Sequence, residues 1–570
     1  HELDRKVAIK EVVGHLFAPM LYTSLTSAAG FLSLTLTPIP PVRVFGVFVA
    51  LGIGIAFVLT ILFVPAYIAA LPEKRLTALL SSKRDASDPG LLGRVVEAVG
   101  ARSLRFAKPI LLVTVAAIAI SGYGISQINI NDNPVRWFKS DHKIRVADRV
   151  LNQELAGTYM AFLIMKQDTD AKTEIVAAGD RALQGASEAV RSRWDATKAE
   201  AQTASEEGVT NVSDALIEAT SDLVFDTSGQ ESEQWQAVQT ALEEAQTASK
   251  TFQNPEHLAY VERLQAAAES LPLVGKTSSI ADVVKTVYRE LISGEDEDYR
   301  IPGSTEGVAQ TLLQFQSSHR PNDLWHLVSP DYREGAVWVQ LKSGDNQDMI
   351  SVKADLDDFM AANPPPDGLR AQWAGLTFLN TVWQEAMVGG MLESLMGAFV
   401  IVFLMMMILF RSPVYGALAM VPLTITIVFT YGIIGLVGKD YDMPVAVLSS
   451  LTLGLSVDFA IHFLERARAI QGETGDWRAT MALMFQEPGR AITRNAIVIA
   501  IGFLPLLGAP LVPYNTVGFL MAAIMAVSSV VTVMLLPAIM MNIQNWLSSK
   551  KQRVSADAET PAATLKEQTT

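Results

Sequence analysis

The sequence predicts a polytopic α-helical membrane protein that carries one large α+β domain outside the membrane. Of the 570 residues, 50% are hydrophobic, and the mean hydropathy is +0.26 although 18% of the residues are charged. The apolar residues are gathered in long runs, and about 20 of them in a helix cross a hydrocarbon layer of ~30 Å. We predict eight spans, at residues 16–36, 44–71, 109–126, 391–410, 416–438, 443–464, 496–509 and 515–543.

Basic residues in the short connections predict the orientation of these spans. Lys and Arg crowd residues 72–108 and 466–494, and cytoplasmic loops carry such an excess. Alternation of the spans then places residues 127–388 outside the cytoplasm. Residues 1–15 indicate a cytoplasmic amphipathic helix, and residues 544–570 a disordered cytoplasmic tail. We therefore expect a multi-pass protein of the inner cell membrane with its large domain extracytoplasmic.

Composition argues against several classes of partner and chemistry. The formal net charge is −14, whereas a nucleic-acid-binding surface needs clustered Lys and Arg. The chain has no cysteine, so disulfide and thiolate chemistry are absent. Asp458, His462 and Glu465 are conceivable metal ligands, but no further cluster accompanies them. We expect neither a metal nor another cofactor.

The predicted outer domain mixes strands with helices. Strand-like stretches occupy residues 158–165, 336–343 and 369–377, and a helix-like stretch occupies 352–362. This alternation is typical of a split βαβ module. Residues 168–250 are rich in Ala, Glu, Gln, Ser and Thr, which predicts an inserted helical hairpin held together by Trp194 and Trp235. We expect the insertion to be a solvated surface, with docking of a partner or contact with another outer domain as the alternatives.

One acidic residue stands deep within a predicted span. Asp458 lies in the segment GLSVDFAIHFLER, residues 454–466, where a charged carboxylate costs about 2.5–3.5 kcal/mol on insertion scales. His462 follows four residues later on the same helical face. Because intramembrane carboxylates usually mark a proton or ion path, we predict a proton relay through both residues. The alternatives are a neutral Asp458 hydrogen-bonded to a neighbouring helix and a His462 hydrogen-bonded near the cytoplasmic interface.

Small and hydroxyl-bearing residues accompany this helix. Gly454, Ser456 and Ala460 permit close approach of a partner helix. Polar side chains elsewhere in the membrane could support a wire of waters, although interhelical hydrogen bonding explains them equally well. These supporting candidates are Thr23, Ser24, Thr26, Ser27 and Asn495.

Two parts of the chain repeat one another without a gap. Residues 14–71 match residues 486–543 at a constant offset of 472, and the matched positions include glycines and prolines in two helices and their connection. We interpret 16–71 as the last two helices of a first copy. The second copy comprises the span 109–126, the outer domain and the five spans of 389–543. The expectation is a C-terminal piece of a twelve-helix protein whose first copy carries a counterpart of the Asp458 helix.

Several segments resemble the resistance-nodulation-division (RND) superfamily, in particular its MMPL-like predicted exporters. They are GLSVDFAIHFLER, RNAIVIAIGFLPLLGAPLVPYNTVGF (494–519), VTVMLLPAIM (531–540), NDNPVRWF (131–138), LPLVGKTSSIADVVK (271–285) and YREGAVWVQLKS (332–343). The resemblance implies a proton-driven transporter of hydrophobic or amphiphilic molecules such as lipids, with porter-like outer domains. Asp458 matches the aspartate of the family's tenth helix, and Phe459 stands where many members have tyrosine. The resemblance places the family's other relay residues on its fourth helix, which we expect to precede the segment given by this sequence.

Two other classes of function stay open on the sequence alone. An intramembrane aspartyl protease needs paired carboxylates that share a proton, and this chain offers one deep in its spans, so we expect no enzymatic activity. A lipid or sterol sensor could keep the fold without transport. The expected partners are a hydrophobic substrate and membrane lipid, with a homo-oligomer and accessory periplasmic proteins left open.

Overall fold

The computed structural model describes residues 5–72, 90–168, 170–206, 211–366 and 368–559. These residues form two compact units. One is helical and comprises the chain before Val146 and after Thr381, and the other, Val146–Thr381, mixes helices with a sheet.

The elements follow one another along the chain in a simple order. They are α1 (Arg5–Leu32), α2 (Pro40–Ala70), α3 (Gly90–Arg105), α4 (Ala107–Ser126), α5 (Lys143–Glu154), β1 (Tyr159–Gln167), α6 (Ala171–Ala182), α7 (Glu188–Glu206), α8 (Val212–Asp226), α9 (Gln230–Ser249), α10 (Pro255–Glu269), β2 (Val274–Ser278), α11 (Ile280–Ile292), α12 (Thr305–Gln316), β3 (Glu334–Leu341), α13 (Asn346–Ala362), β4 (Leu369–Ala374), α14 (Leu376–Phe410), α15 (Pro413–Leu436), α16 (Met443–Thr474), α17 (Trp477–Met484), α18 (Glu487–Phe503) and α19 (Val512–Glu559).

Within the described residues, seven helices are long and apolar enough to cross a membrane. They are α2, α4, α14, α15, α16, α18 with the 3₁₀ turn after it, and α19 as far as Ile543. This confirms a polytopic helical membrane protein but corrects our count of eight. The first predicted span, 16–36, falls in α1 and a following 3₁₀ turn. Its run of Thr and Ser residues lowers its hydropathy below that of the other spans, and α1 is not among the seven.

Both ends of the described chain are helical, as predicted for the first end and in place of the disorder predicted for the second. The helix predicted at 1–15 and the first predicted span form one continuous helix from Arg5, with residues 1–4 outside the described part. The tail predicted to be disordered from 544 continues α19 as a helix to Glu559, and residues 560–570 lie outside the described part. The linker predicted at 72–108 contains α3, while 73–89 are likewise not described.

Helix α16 lies at the centre of the helical unit. Leu453, Val457 and Phe463 are fully buried, and α1, α15 and α19 all pack against this helix. By contrast, α2 exposes large apolar side chains such as Phe48 and Leu62. A helix that is apolar on its outward face suits contact with lipid. The helix with the predicted relay residues is thus the most enclosed of the spans.

Helices α4 and α15 approach each other through small residues. A Cβ atom on Gly124 would lie 2.2 Å from the carbonyl oxygen of Gly432, and one on Gly435 would lie 1.8 Å from that of Gly124. A Cβ on Gly432 would likewise lie 2.5 Å from the Cα of Ser121. Small residues allow membrane helices to pack backbone against backbone, where dispersion contacts drive association. The contact fixes α4 against α15.

The mixed unit is built on a four-stranded antiparallel sheet with the order β2-β3-β1-β4. Strand β3 lies between β1 and β2, which is the split βαβ arrangement that the sequence predicts. In β1, Ala161, Leu163 and Met165 are buried, because alternate side chains of a strand point to the same face. The strand-like stretches at 158–165, 336–343 and 369–377 correspond to β1, β3 and β4.

The residues inserted after β1 form four helices, α6 to α9, instead of a hairpin. They have an apolar core of their own, in which Trp194, Leu216 and Trp235 are buried. The Trp194 Nε1–H donates to Asp180 Oδ1 at 2.7 Å, whereas the buried Trp235 Nε1 has no partner. Each break is local: Gly185 and Gly229 have positive φ, and Asn211 caps α8. The composition of residues 168–250 predicted helices, but it did not predict the three positions at which one helix ends and the next begins.

Candidate proton site and adjoining grooves

Asp458 lies midway along α16 in an apolar environment. Its side chain is half-buried, and Oδ1 is buried without a hydrogen-bond partner. Burying a polar group without a hydrogen bond costs roughly 1–3 kcal/mol by mutational data, so such an atom requires an explanation, of which a bound water and a functional role are two. One alternative predicted from the sequence was a hydrogen bond from Asp458 to a neighbouring helix. Among the described residues, Oδ1 forms no such bond.

Two neighbouring helices bind the backbone of α16 close to Asp458. Ser27 Oγ of α1 donates to the Gly454 carbonyl at 2.8 Å, and Ser528 Oγ of α19 donates to the Ser456 carbonyl at 3.3 Å. A Cβ on Gly454 would lie 3.1 Å from the Cα of Ser27. Close approach at Gly454 therefore follows from its missing side chain. Both contacts lie within one turn of Asp458, so the carboxyl is next to two helix interfaces.

Two further buried polar atoms near these contacts lack a partner. They are Ser456 Oγ of α16 and Thr532 Oγ1 of α19, one turn beyond Ser528. Orphaned hydroxyls in a protein interior are the groups that buried waters usually satisfy. Ser456 is two residues from Asp458, so this stretch of α16 carries two buried polar groups without a partner. From the sequence, Ser456 was selected only as a small residue that permits close helix packing. Thr532 was not predicted to belong to the candidate site.

His462 faces a groove rather than the bundle interior. Its side chain is exposed and lines a groove of about 430 Å³, which we call the Asn495 groove. The groove lies between α16 and α18 and brings His462 together with Asn495, both of which the sequence selected. Its lining comprises Phe459, His462, Arg466, Glu487, Pro488, Ala491, Ile492 and Asn495. Phe459 lines this groove, whereas Asp458 itself does not.

The other supporting candidates lie on α1. Thr23 Oγ1 donates to Met20 O at 3.0 Å, and Thr26 Oγ1 donates to Tyr22 O at 2.9 Å. Both hydroxyls therefore bond back to their own helix. Ser24 is half-buried. Ser27 is the member of this group that reaches α16, so the structure places that hydroxyl next to the candidate site and Thr23 and Thr26 in local bonds.

A second groove is almost entirely apolar. It measures about 550 Å³ and lies where α2, α16 and α19 begin; we call it the Trp137 groove. Its lining comprises Pro41, Val42, Phe45, Trp137, Met443, Pro444, Val447, Leu451, Leu506, Leu511, Pro513, Tyr514 and Val517. Ligand pockets typically measure about 300–1,000 Å³ and are lined mainly by apolar side chains. The groove can hold a hydrocarbon chain.

A polar cavity of about 210 Å³ adjoins this groove, and we call it the Asp132 cavity. Trp137 and Pro513 line both spaces. Burial raises the pKa of the Asp132 carboxyl above its ordinary value, and the charge of Asp442 raises it further. The hydrogen bond from Trp137 and the charge of Lys439 act in the opposite direction. The sequence alone assigns no role to any residue of the segment NDNPVRWF (131–138).

No group of three or more His, Cys, Asp or Glu side chains within the described ranges is placed to hold a metal ion. Asp458, His462 and Glu465, which the sequence analysis weighed as ligands, differ in surroundings. His462 is exposed, and the other two are half-buried.

Comparisons with known proteins agree with the architecture. The model of the MMPL family matches residues 164–559. Two similar proteins are MJ1562 of Methanocaldococcus jannaschii, 24% identical over 260 residues, and ActII-3 of Streptomyces coelicolor, 26% identical over 187 residues; both are named as membrane proteins. The matches cover 45% and 32% of this chain and 66% and 26% of the relatives, less than two thirds of either relative. Because the family match spans more than half of the sequence, the chain belongs to the MMPL family, a family of membrane transporters of the RND kind.

Proposed function

We propose that the protein is a proton-driven secondary transporter of hydrophobic or amphiphilic molecules such as lipids, and that Asp458 carries the proton. The observation that carries this proposal is the buried, unpartnered Oδ1 of Asp458 in the most enclosed span. A group that must bind and release a proton cannot be locked permanently in a hydrogen bond or ion pair. Membership of a transporter family supports the same reading and fits a protein that is not an enzyme.

Proton binding at Asp458 would change how α16 packs. The charged form costs about 2.5–3.5 kcal/mol at the centre of a membrane helix, which corresponds to a population ratio of roughly 70 to 400. The contacts of Ser27 and Ser528 with α16 lie within one turn of this charge. Loss or gain of the proton would therefore favour different packings of α1 and α19 on α16. Alternating access needs such a difference between two states.

A path for the proton is supported by polar groups on either side of Asp458. Ser456 Oγ and Thr532 Oγ1 are buried and free to bind water. His462 lines the open Asn495 groove one turn away from Asp458. We propose that His462 exchanges protons between this groove and Asp458, because an imidazole is the side chain that titrates near neutral pH.

The Trp137 groove supports an amphiphilic substrate. Its lining is apolar, and its volume of about 550 Å³ suits a single hydrocarbon chain. A polar cavity lies directly beside it, so a molecule with an apolar chain and a polar end would match both spaces. We propose that the mixed unit with its sheet lies outside the inner cell membrane, as the basic connections predict.

An internal repeat supports a transporter built from two related halves. A Cβ on Gly46 would lie 2.5 Å from Phe31 O, and a Cβ on Gly518 would lie 3.0 Å from Phe503 O. Both pairs of residues are related by the offset of 472 found in the sequence. The same close turn thus occurs twice, as expected for two copies of one unit.

The test is lipid movement in proteoliposomes that hold the purified intact protein, including the first copy of the repeat that the sequence predicts. The probe is a fluorescent single-chain phospholipid, and its transfer between leaflets is followed with and without an imposed pH gradient. We expect the gradient to accelerate transfer in the unmodified protein and in Glu465→Gln, which removes a half-buried carboxylate from the same helix. Asp458→Asn should lose the accelerated component. Equal acceleration in Asp458→Asn, or none in a folded unmodified protein, would overturn the proposal and favour a sensor or scaffold.

A further inference from the structure

The Asn495 groove contains two opposite charges that have no partner. Arg466 of α16 and Glu487 at the start of α18 both line this groove. Within the described ranges, neither side chain forms an ion pair or a hydrogen bond. By contrast, Arg490 of α18 pairs with Glu97 of α3. The guanidinium and the carboxylate that line the groove are therefore both available to a ligand.

The lining of the groove changes along its length. Helix α16 leads into the connection that contains α17, and α18 leads out of it, so the two helices are antiparallel. Equal steps along them therefore place Arg466 near the level of Glu487. Phe459 lies seven residues before Arg466, about 10 Å further along the groove, near the level of Asn495. One end of the groove is thus charged, and His462 lies between the two ends.

The groove lies where the two helices pass from lipid headgroups into hydrocarbon. The apolar run of α16 ends at Leu464, before Arg466, and that of α18 begins after Asn495. Headgroups occupy roughly 5–8 Å on each side of the ~30 Å hydrocarbon layer. The charged end of the groove is therefore at headgroup depth. Phe459 and Ile492 are buried and give the other end an apolar floor.

A headgroup that carries both a phosphate and a primary ammonium matches this arrangement. The Arg466 guanidinium offers parallel N–H donors to a phosphate, and the Glu487 carboxylate accepts hydrogen bonds from an ammonium. The Asn495 amide, about 12 Å along α18 from Glu487, can donate to a lipid ester carbonyl. Basic pockets between membrane helices are frequent headgroup sites. An anionic headgroup would face the Glu487 charge, and a choline group has no N–H to donate to it.

We propose that the Asn495 groove binds a phosphatidylethanolamine molecule of the surrounding membrane, with its phosphate on Arg466 and its ammonium on Glu487. The acyl chains begin over Phe459 and Ile492 and continue into the bilayer. The volume of about 430 Å³ falls within the usual range of ligand pockets, about 300–1,000 Å³. This site is separate from the Trp137 groove. The inference does not rest on the proposed function, because a protein that moves no lipid would bind this one equally.

The test is equilibrium lipid binding to the delipidated intact protein in detergent, measured by native mass spectrometry. The probes are phosphatidylethanolamine, phosphatidylglycerol and phosphatidylcholine with identical acyl chains. We expect phosphatidylethanolamine to bind up to about fivefold more tightly than either of the others, because one exposed ion pair changes an affinity by up to about that factor.

Two substitutions in the groove should have different signatures. Glu487→Gln removes both the partner of the ammonium and the charge that repels an anionic headgroup. It should weaken phosphatidylethanolamine binding, strengthen phosphatidylglycerol binding and abolish the preference between them. Arg466→Gln removes the partner of a phosphate that all three lipids carry, so it should weaken all three by up to about fivefold.

Matched controls lie close by in the chain. Glu473→Gln removes an exposed carboxylate of α16, and Arg478→Gln removes an exposed cation of α17; neither residue lines the groove. Both variants should bind the three lipids as the unmodified protein does. Asp458→Asn should also bind them unchanged, so the outcome of this test is independent of the lipid-transfer test.

Several results would overturn the proposal. One is phosphatidylglycerol or phosphatidylcholine that binds the unmodified protein at least as tightly as phosphatidylethanolamine. Another is a Glu487→Gln protein that keeps the preference for phosphatidylethanolamine. A third is displacement of the lipid by an equal concentration of soluble glycerophosphoethanolamine, which would assign the groove to a soluble phosphate ester instead of a membrane lipid.

Discussion

Substituting Gly124 by alanine should loosen the packing of α4 against α15. The added Cβ would lie 2.2 Å from the backbone carbonyl oxygen of Gly432, and real Cβ atoms do not approach closer than 3.0 Å. The obstacle is backbone, so it cannot turn away as a side chain could. The two helices must separate locally by about 0.8 Å, which forfeits dispersion contacts along their interface.

The size of the effect can be isolated with a substitution in the same helix. Overpacking of this kind costs about 1–3 kcal/mol, while replacing glycine by alanine within a helix gains about 1 kcal/mol. Gly122→Ala gains the same helix propensity, and its added Cβ meets no other atom, since nothing lies within 4 Å of that position. The difference in free energy of unfolding between the two variants is therefore the packing cost, about 1–3 kcal/mol, or a factor of about 5–150 in the unfolding equilibrium.

The assay is unfolding in mixed micelles by increasing fractions of sodium dodecyl sulfate, followed by far-ultraviolet circular dichroism. Gly122→Ala should match or exceed the unmodified protein, and Gly124→Ala should unfold at a lower detergent fraction. If the two variants unfold at the same fraction, the close approach of α4 and α15 does not contribute to stability and the argument from the Gly124 contact is wrong.

Two further predictions concern the mixed unit. Trp194→Phe should destabilise the inserted helices by about 1–2 kcal/mol, because it loses the 2.7 Å hydrogen bond to Asp180; proteolysis of the insertion should accelerate, and an unchanged rate would contradict the prediction. Ser279→Ala should cost about 0.5–2 kcal/mol in chemical denaturation of the mixed unit, because the Ser279 hydroxyl accepts from the Ala281 amide and donates to Gln265; a midpoint equal to that of the unmodified protein would refute it.

The sequence was sufficient for features that depend on local composition. Long apolar runs identified seven helices that the structure also shows as able to span a membrane, and the strand-like apolar stretch at residues 158–165 identified β1. Asp458 stood out because an acid in an apolar helix is costly wherever the helix packs. These inferences need only the neighbours along the chain.

Features that depend on contacts between distant segments could not be predicted. The hydroxyl of Ser27 reaches α16 while those of Thr23 and Thr26 bond to their own helix, and spacing alone does not distinguish them. His462 shares a helical face with Asp458, yet it is exposed in a groove. The Asp132 cavity joins residues more than 300 positions apart, so the motif at 131–138 had no visible partner in the sequence.

The most direct test of the central claim is proton movement itself. Proteoliposomes containing a pH-sensitive dye would report proton entry when an acid-outside gradient is imposed in the presence of the single-chain phospholipid. The account predicts entry through the unmodified protein and through Glu465→Gln, and entry at the protein-free rate through Asp458→Asn. Proton entry through Asp458→Asn at the rate of the unmodified protein would contradict a proton-carrying role for Asp458.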